Sequence, residues 1–216
     1  MQSEFEALCA RAAACRRCFQ GLSVAPSLID IAQPRWVGSR YASAKRRVAV
    51  VMLNPGSGAS RTDGADERSR QLIRAFADGS GSLDAVFEHQ AADMPNWGRG
   101  GRFLPFCIDG LGLRLDEIAF ANVAWCGTYG DRYPGKMLED CFNRHAEKLL
   151  SILDPHVVLL SGCKTHRFAD RVRELLPERC SVILMYHYAH RKGLAAEKCE
   201  LERVRGEIEE ALRRAG

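Results

Sequence analysis

"VVMLNPGSGAS", residues 50–60, starts as a run of apolar side chains and breaks at Asn54-Pro55-Gly56 into a loop of small residues. A short unbroken apolar run of this kind reads as a strand buried on both faces, the environment of a parallel sheet. The loop ends in neither Gly-Lys-Ser/Thr nor the glycine spacing of a dinucleotide fingerprint, so a P-loop enzyme is disfavoured and no nucleotide cofactor is expected. Further strands are predicted outward from it, so that the set covers 47–53, 117–124, 156–160 and 181–185. Helical periodicity fills 68–77, 101–111, 138–153, 165–175 and 194–214. Glycine-rich 78–82 and polar 89–101 read as insertions. Strands alternating with helices predict an α/β fold, a three-layer α/β/α arrangement around a four-stranded parallel sheet with right-handed crossovers. Ligands in such folds sit beyond the carboxyl ends of the strands, which is where Asn54 falls.

A chain of 216 residues, nearly half of them apolar, is expected to form one domain over 1–216, led by a helical, cysteine-bearing segment over about 1–46. The 31 basic and 27 acidic residues leave a formal charge of +4, which permits a polyanionic partner without requiring one. No apolar run is long enough for a membrane, and the charged N-terminal stretch is unlike a secretory signal, so a cytoplasmic protein is expected. Nine cysteines in a reducing compartment are then thiols or metal ligands. Cys15 and Cys18 form "CRRC", Cys126 follows the second strand, and Cys141 lies in the next helix. This two-plus-two set suits a four-iron, four-sulfur cluster or a structural zinc. Cys107, Cys163 and Cys180 fall in or beside apolar segments, and Cys9 and Cys199 on terminal helices.

Cysteines in this order, with "NVAWC" ending the second strand, resemble the iron–sulfur (family 4-like) uracil-DNA glycosylases. The resemblance continues through "GRFLPFCIDGLGLRLDEIAFANVAWC", "LEDCFNRHAEKLLSILDPHVVLLSG" and "MYHYAH", from Cys15 to Arg191. It favours iron over zinc and implies a uracil-DNA glycosylase-like fold that hydrolyses the N-glycosidic bond of uracil, or a related deaminated base, flipped out of DNA. The protein would act in base-excision repair, as a monomer on damaged DNA and with no membrane partner. Two departures bear on rate and substrate range. "LNPG" is closer to the Gly-x-Asn-Pro-Gly motif of the mismatch-specific and single-strand-selective branch, with Met52 in place of its first glycine, and Tyr188 stands where the family has proline after its histidine.

The resemblance implies roles that the chemistry supports. Excision develops positive charge on the sugar and negative charge on the leaving base. Asn54 would orient the attacking water, and Gly56 and Gly58 would let the backbone approach the nucleotide; the same residues also make an ordinary turn. Asp63 and Asp66 are reserve groups for water activation. Asn122 would read uracil N3–H and O4, or else cap its strand. Trp97 would stack on the extruded base, with Phe103 competing for that part but better suited to the core. His187 would donate to the uracil oxygen, with His190 as the ambiguous neighbour. Arg191, Lys192, His190 and Lys164 would contact DNA, joined by Arg99 and Arg102. A catalytically weak or inactive metal-stabilised DNA-binding protein of the same fold is the competing expectation.

Overall fold

The computed structural model describes residues 2–20, 24–56 and 64–215, apart from the side chains of Gln2, Arg99 and Ala215. Gly58 and Asp63 lie outside the described residues, as does the side chain of Arg99.

Four strands form: β1 (Val48–Met52), β2 (Ile118–Asn122), β3 (Val157–Ser161) and β4 (Ser181–Met185). They make one all-parallel sheet in the order β2-β1-β3-β4, with Val50 opposite Leu159 and Leu159 opposite Ile183. Every residue of β1, β2 and β3 is buried, as their unbroken apolar runs require. Each fully buried Val or Leu contributes about 1.5–3 kcal/mol relative to exposure. Edge strand β4 is more open. The other edge, β2, is lined by antiparallel chain: Val37 bridges Ala119, Gly38 N–H donates to Ile118 O at 2.8 Å, and Arg40 N–H donates to Asp116 O at 2.8 Å. A Cβ on Gly38 would lie 2.4 Å from the Asp116 backbone, so only glycine lets the two segments come this close.

The helices are α1 (Gln2–Ala13), α2 (Ala65–Ala77), α3 (Leu83–Asp93), α4 (Phe103–Cys107), α5 (Gly135–Cys141), α6 (Glu147–Leu153), α7 (Cys163–His166), α8 (Ala169–Leu175) and α9 (Leu194–Ala215). The class is the α/β/α one expected, a parallel sheet with helices around it. Three helical expectations change. The stretch 101–111 is broken into short turns about α4, because Gly101 takes positive φ at its start and Ile108 (φ -119°, ψ -71°) ends α4 before a 3-10 turn at Asp109–Leu111. The 165–175 pattern divides into α7 and α8. The first five residues of the supposed insertion 89–101 belong to α3, which begins where Ser82 Oγ accepts from Ala85 N–H at 3.2 Å and buries Leu83, Val86 and Gln90 on one face. Between α5 and α6 the chain takes one π-helical turn, Phe142–Ala146. No helix among the described residues is long and apolar enough to cross a membrane.

The described chain gathers into two compact units, each woven from three separated stretches. The first holds Met1–Trp36, Asn54–Ala92 and Asn122–Ile152; the second holds Val37–Leu53, Asp93–Ala121 and Leu153–Gly216. Apart from Asn122, the sheet belongs to the second, where α9 packs on β3 and β4 and α8 packs on β4.

Candidate functional site

Three of the four predicted ligand cysteines meet in the first unit. Cys18, in a 3-10 turn after α1, takes hydrogen bonds from the thiols of Cys126 and Cys141, and Cys15 lies close enough to act on both electrostatically. Those donated bonds hold Cys18 well below the ordinary thiol range, while donation to that anion, together with burial, pushes Cys126 and Cys141 up. Trp125 N–H donates to Cys141 Sγ at 3.1 Å. Cys9 and Cys107 are buried thiols raised by desolvation, and Cys163 and Cys199 are exposed. Among the described residues, no group of three or more His, Cys, Asp or Glu side chains is set to hold a single metal ion, although these thiols lie within reach of one another.

The lining of this nest is polar and unsatisfied. Trp125 Nε1 and His145 Nδ1 are buried without a hydrogen-bond partner. His145 stands on the π-helical turn with its ring 5.5 Å from that of Trp125, and burial holds its pKa down to about 4. Buried polar atoms ordinarily find partners. Orphans beside soft thiolate donors fit a sulfur-rich inorganic group whose sulfurs accept hydrogen bonds.

The loop after β1 belongs to the same unit. Asn54 is half-buried, and its amide Nδ2 donates to Asp131 Oδ1 at 3.2 Å. Its side chain also bonds the Tyr133 hydroxyl, which accepts from Thr128 N–H at 3.2 Å and is raised by burial. Gly56 is exposed, with φ +85°. Its carbonyl oxygen would stand 3.1 Å from a Cβ on Gly127, which would also strike Ser27 Oγ at 2.4 Å; the glycine after Cys126 is what lets these segments close up. Asp66 lies in the first turn of α2, where its charge meets the helix dipole. Asn122 ends β2 and is fully buried.

In the second unit, His187 follows β4 and is half-buried. Its Nδ1 accepts from Ala189 N–H at 3.2 Å, so the ring proton sits on Nε2. Burial and the neighbouring His190 lower its pKa, which keeps the ring neutral. Gly162, just past β3, takes φ +98°, and a Cβ there would lie 3.2 Å from His187 Cβ. His166 Nε2 reaches both Leu160 O (3.2 Å) and Met185 O (3.1 Å), tying the carboxyl ends of β3 and β4 together. Trp97 is anchored through Nε1 to Asp93 Oδ2 at 2.9 Å, and its ring packs 5.2 Å from buried Phe103. Phe103 in turn meets Tyr188 edge-on at 5.5 Å, and Tyr188 stacks on His187 at 4.1 Å. Trp97 and His187 are thus the two ends of one aromatic array.

His190, expected on DNA, is half-buried. Its ring packs against Phe106 and Tyr186, Nδ1 accepts from Lys192 N–H, and Nε2 lies 3.5 Å from Glu197 Oε2, an ion-pair distance without hydrogen-bond geometry. Glu197 is itself paired with Arg102. Lys192 Nζ rests 4.0 Å over the Tyr186 ring. Arg191 and Lys164 are exposed.

Asp131, Tyr133, Trp125 and His145 escaped the reading of the sequence. Only "TYGDRY" carried a trace, as a turn signal of the kind that places a short polar residue at positive φ. No protein-family model matches the chain, and no curated protein matches it.

Proposed function

We propose that the chain is a DNA-repair glycosylase of the uracil-DNA glycosylase kind, acting in the cytoplasm on uracil or a related deaminated base in DNA. The observation that carries this reading is the fixed amide of Asn54. Donation to Asp131, which accepts only, fixes which edge of the amide carries Nδ2 and makes Oδ1 the edge that would accept from a water. A strand-end amide held this way orients a nucleophile without bringing charge to the developing cation on the sugar. His187 supplies the opposite requirement, a neutral Nε2–H donor for the oxygen of the leaving base. Trp97 offers a half-buried ring for stacking, and Asn122 offers an amide that discriminates the uracil edge. Gly56, Lys164, Arg191 and Lys192 serve the nucleic-acid backbone.

Cys15, Cys18, Cys126 and Cys141 would hold a four-iron, four-sulfur cluster, with zinc as the alternative. Such a group supplies a rigid tie, pinning the segment after α1 to the segment after β2 and to α5. The full burial of Asn122 favours a second reading, a weak or inactive DNA-binding protein of the same fold. A base-release assay separates the two. Oligonucleotides containing uracil, hypoxanthine, xanthine or a mismatched thymine are offered in single and double strands. Uracil release is expected. Salt-sensitive binding with no product from any substrate would leave only the binder.

A further inference from the structure

An asparagine side chain ends in a torsion that is broad and roughly two-fold, so nothing intrinsic to Asn54 decides which edge of its amide faces a reacting water. We infer that Tyr133 makes that choice: it is a positioning residue whose hydroxyl takes one hydrogen of Asn54 Nδ2 while Asp131 takes the other. The inference rests on the glycosylase reading above. Asp131 Oδ1 accepts from Nδ2 at 3.2 Å. The Tyr133 hydroxyl bonds the same side chain, and this bond pulls the phenol's pKa down against the larger upward push of burial. Only a bond donated to the phenol oxygen acts in that direction, because it favours the phenolate, so Nδ2 is the donor in this bond too. An amide nitrogen carries two hydrogens, and both are now committed. Turning the amide over would bring Oδ1 against a carboxylate and take a donor from the phenol oxygen.

The two holds differ in strength. Asp131 is exposed, so water competes for its oxygen. Tyr133 is half-buried, and its hydroxyl is fixed from a second direction by Thr128 N–H at 3.2 Å. Its backbone is restrained as well. Pro134 follows, which disfavours helical backbone at Tyr133, and α5 then begins at Gly135 and buries Met137, Leu138 and Cys141. On the other side, Thr128 bridges Pro26, and Tyr129 N–H donates to Ala25 O at 2.9 Å. The phenol thus ties the loop after β1 to a turn anchored at both ends. Burial keeps it protonated, so it holds the amide without adding charge beside Asn54.

Tyr133→Phe keeps the ring and deletes the oxygen. Single-turnover uracil release is measured for the wild type, Tyr133→Phe, Asn54→Ala and the double variant, with DNA affinity and thermal melting alongside. Tyr133→Phe is expected to slow the chemical step on the order of 10- to 100-fold at unchanged DNA affinity. In the Asn54→Ala background the same change is expected to cost less than about twofold, because a residue that acts through Asn54 has nothing left to position. Equal losses in both backgrounds would make Tyr133 a structural residue and overturn the inference, as would a wild-type rate in Tyr133→Phe; neither result touches the glycosylase reading. The clamp is also read in the wild type, whatever the folding of the variants. By NMR of protein isotope-labelled at asparagine, both Asn54 side-chain amide protons are expected to exchange slowly with water, and rapid exchange of the pair would overturn the inference. A wild type that releases no base would remove the glycosylase reading, and the positioning role with it, even where those protons are protected.

Discussion

His187 owes its position to a residue that has no side chain. Gly162 combines a φ of +98° with a contact that leaves 3.2 Å for any Cβ beside His187. Gly162→Ala therefore both strains the backbone and displaces the ring, and is expected to lower stability by ~1–3 kcal/mol together with base release. His187→Ala should leave DNA affinity nearly intact and lower the single-turnover rate about 100–1,000-fold. Gel-shift titration and rapid-quench assays distinguish the two outcomes, and a His187→Ala variant at full rate would remove that residue from the reaction. Asn122→Asp should blunt the preference for uracil over cytosine, because the anion can no longer donate to O4. At this scale sequence reading succeeded wherever a residue's role depends on its own neighbours. His187 follows a strand directly, whereas Asp131 matters only through a partner 77 positions away. Such a pairing has no local signature.

The amino ends of β1 and β3 are stitched by charged groups around Asp154, a residue itself at φ +44°. Arg47 reaches Asp154 O and Oδ2, each at 2.8 Å, Arg179 pairs with the other oxygen, and Arg47 N–H donates to His156 Nδ1 at 3.3 Å. Partial burial first, and then the two arginines, lower the His156 pKa. The neutral ring is the folded form's preference, so its contribution is present above the unfolded value of about 6.5 and is lost as pH falls from there through the lower folded value. Urea midpoints should decline from pH 7 towards pH 5, and His156→Gln should remove part of that decline, the lowered His145 and His187 carrying the rest; an unaltered slope would take His156 out of the effect. The strands themselves were legible because five-residue apolar runs admit one burial pattern. Helix α3 was not, because Gln90 stands in its buried stripe and hides the period; inside, its Nε2 donates to Pro34 O at 2.7 Å. Likewise the 101–111 periodicity is real, but Ile108, at φ -119° and ψ -71°, interrupts the backbone that would express it.

For the whole protein, the thiol nest decides whether residues near the N-terminus stay joined to the middle of the chain. Anaerobically purified protein is expected to be brown and to carry iron. Cys18→Ser or Cys141→Ser should lose both the metal and several degrees of melting temperature, whereas exposed Cys199→Ser should lose neither. Stoichiometric zinc in a colourless protein would change the identity of the group. Affinity for DNA should fall steeply with added salt, as displacement of counterions by Lys164, Arg191 and Lys192 requires. Fold class was readable from alternation alone. The weaving of two units from six stretches was not, because periodicity reports which residues are buried and says nothing of which partners bury them.

That weaving sets a schedule for synthesis. A ribosome that has released residues up to Ile152 has delivered every stretch of the first unit, yet the second still lacks β3, the strand that pairs with the open side of β1. Until it arrives, Val48–Met52 offers a bare, wholly apolar strand edge to any other chain nearby. A chain stopped at Ile152 should therefore aggregate where the full-length product does not, and an added holdase should suppress that aggregation.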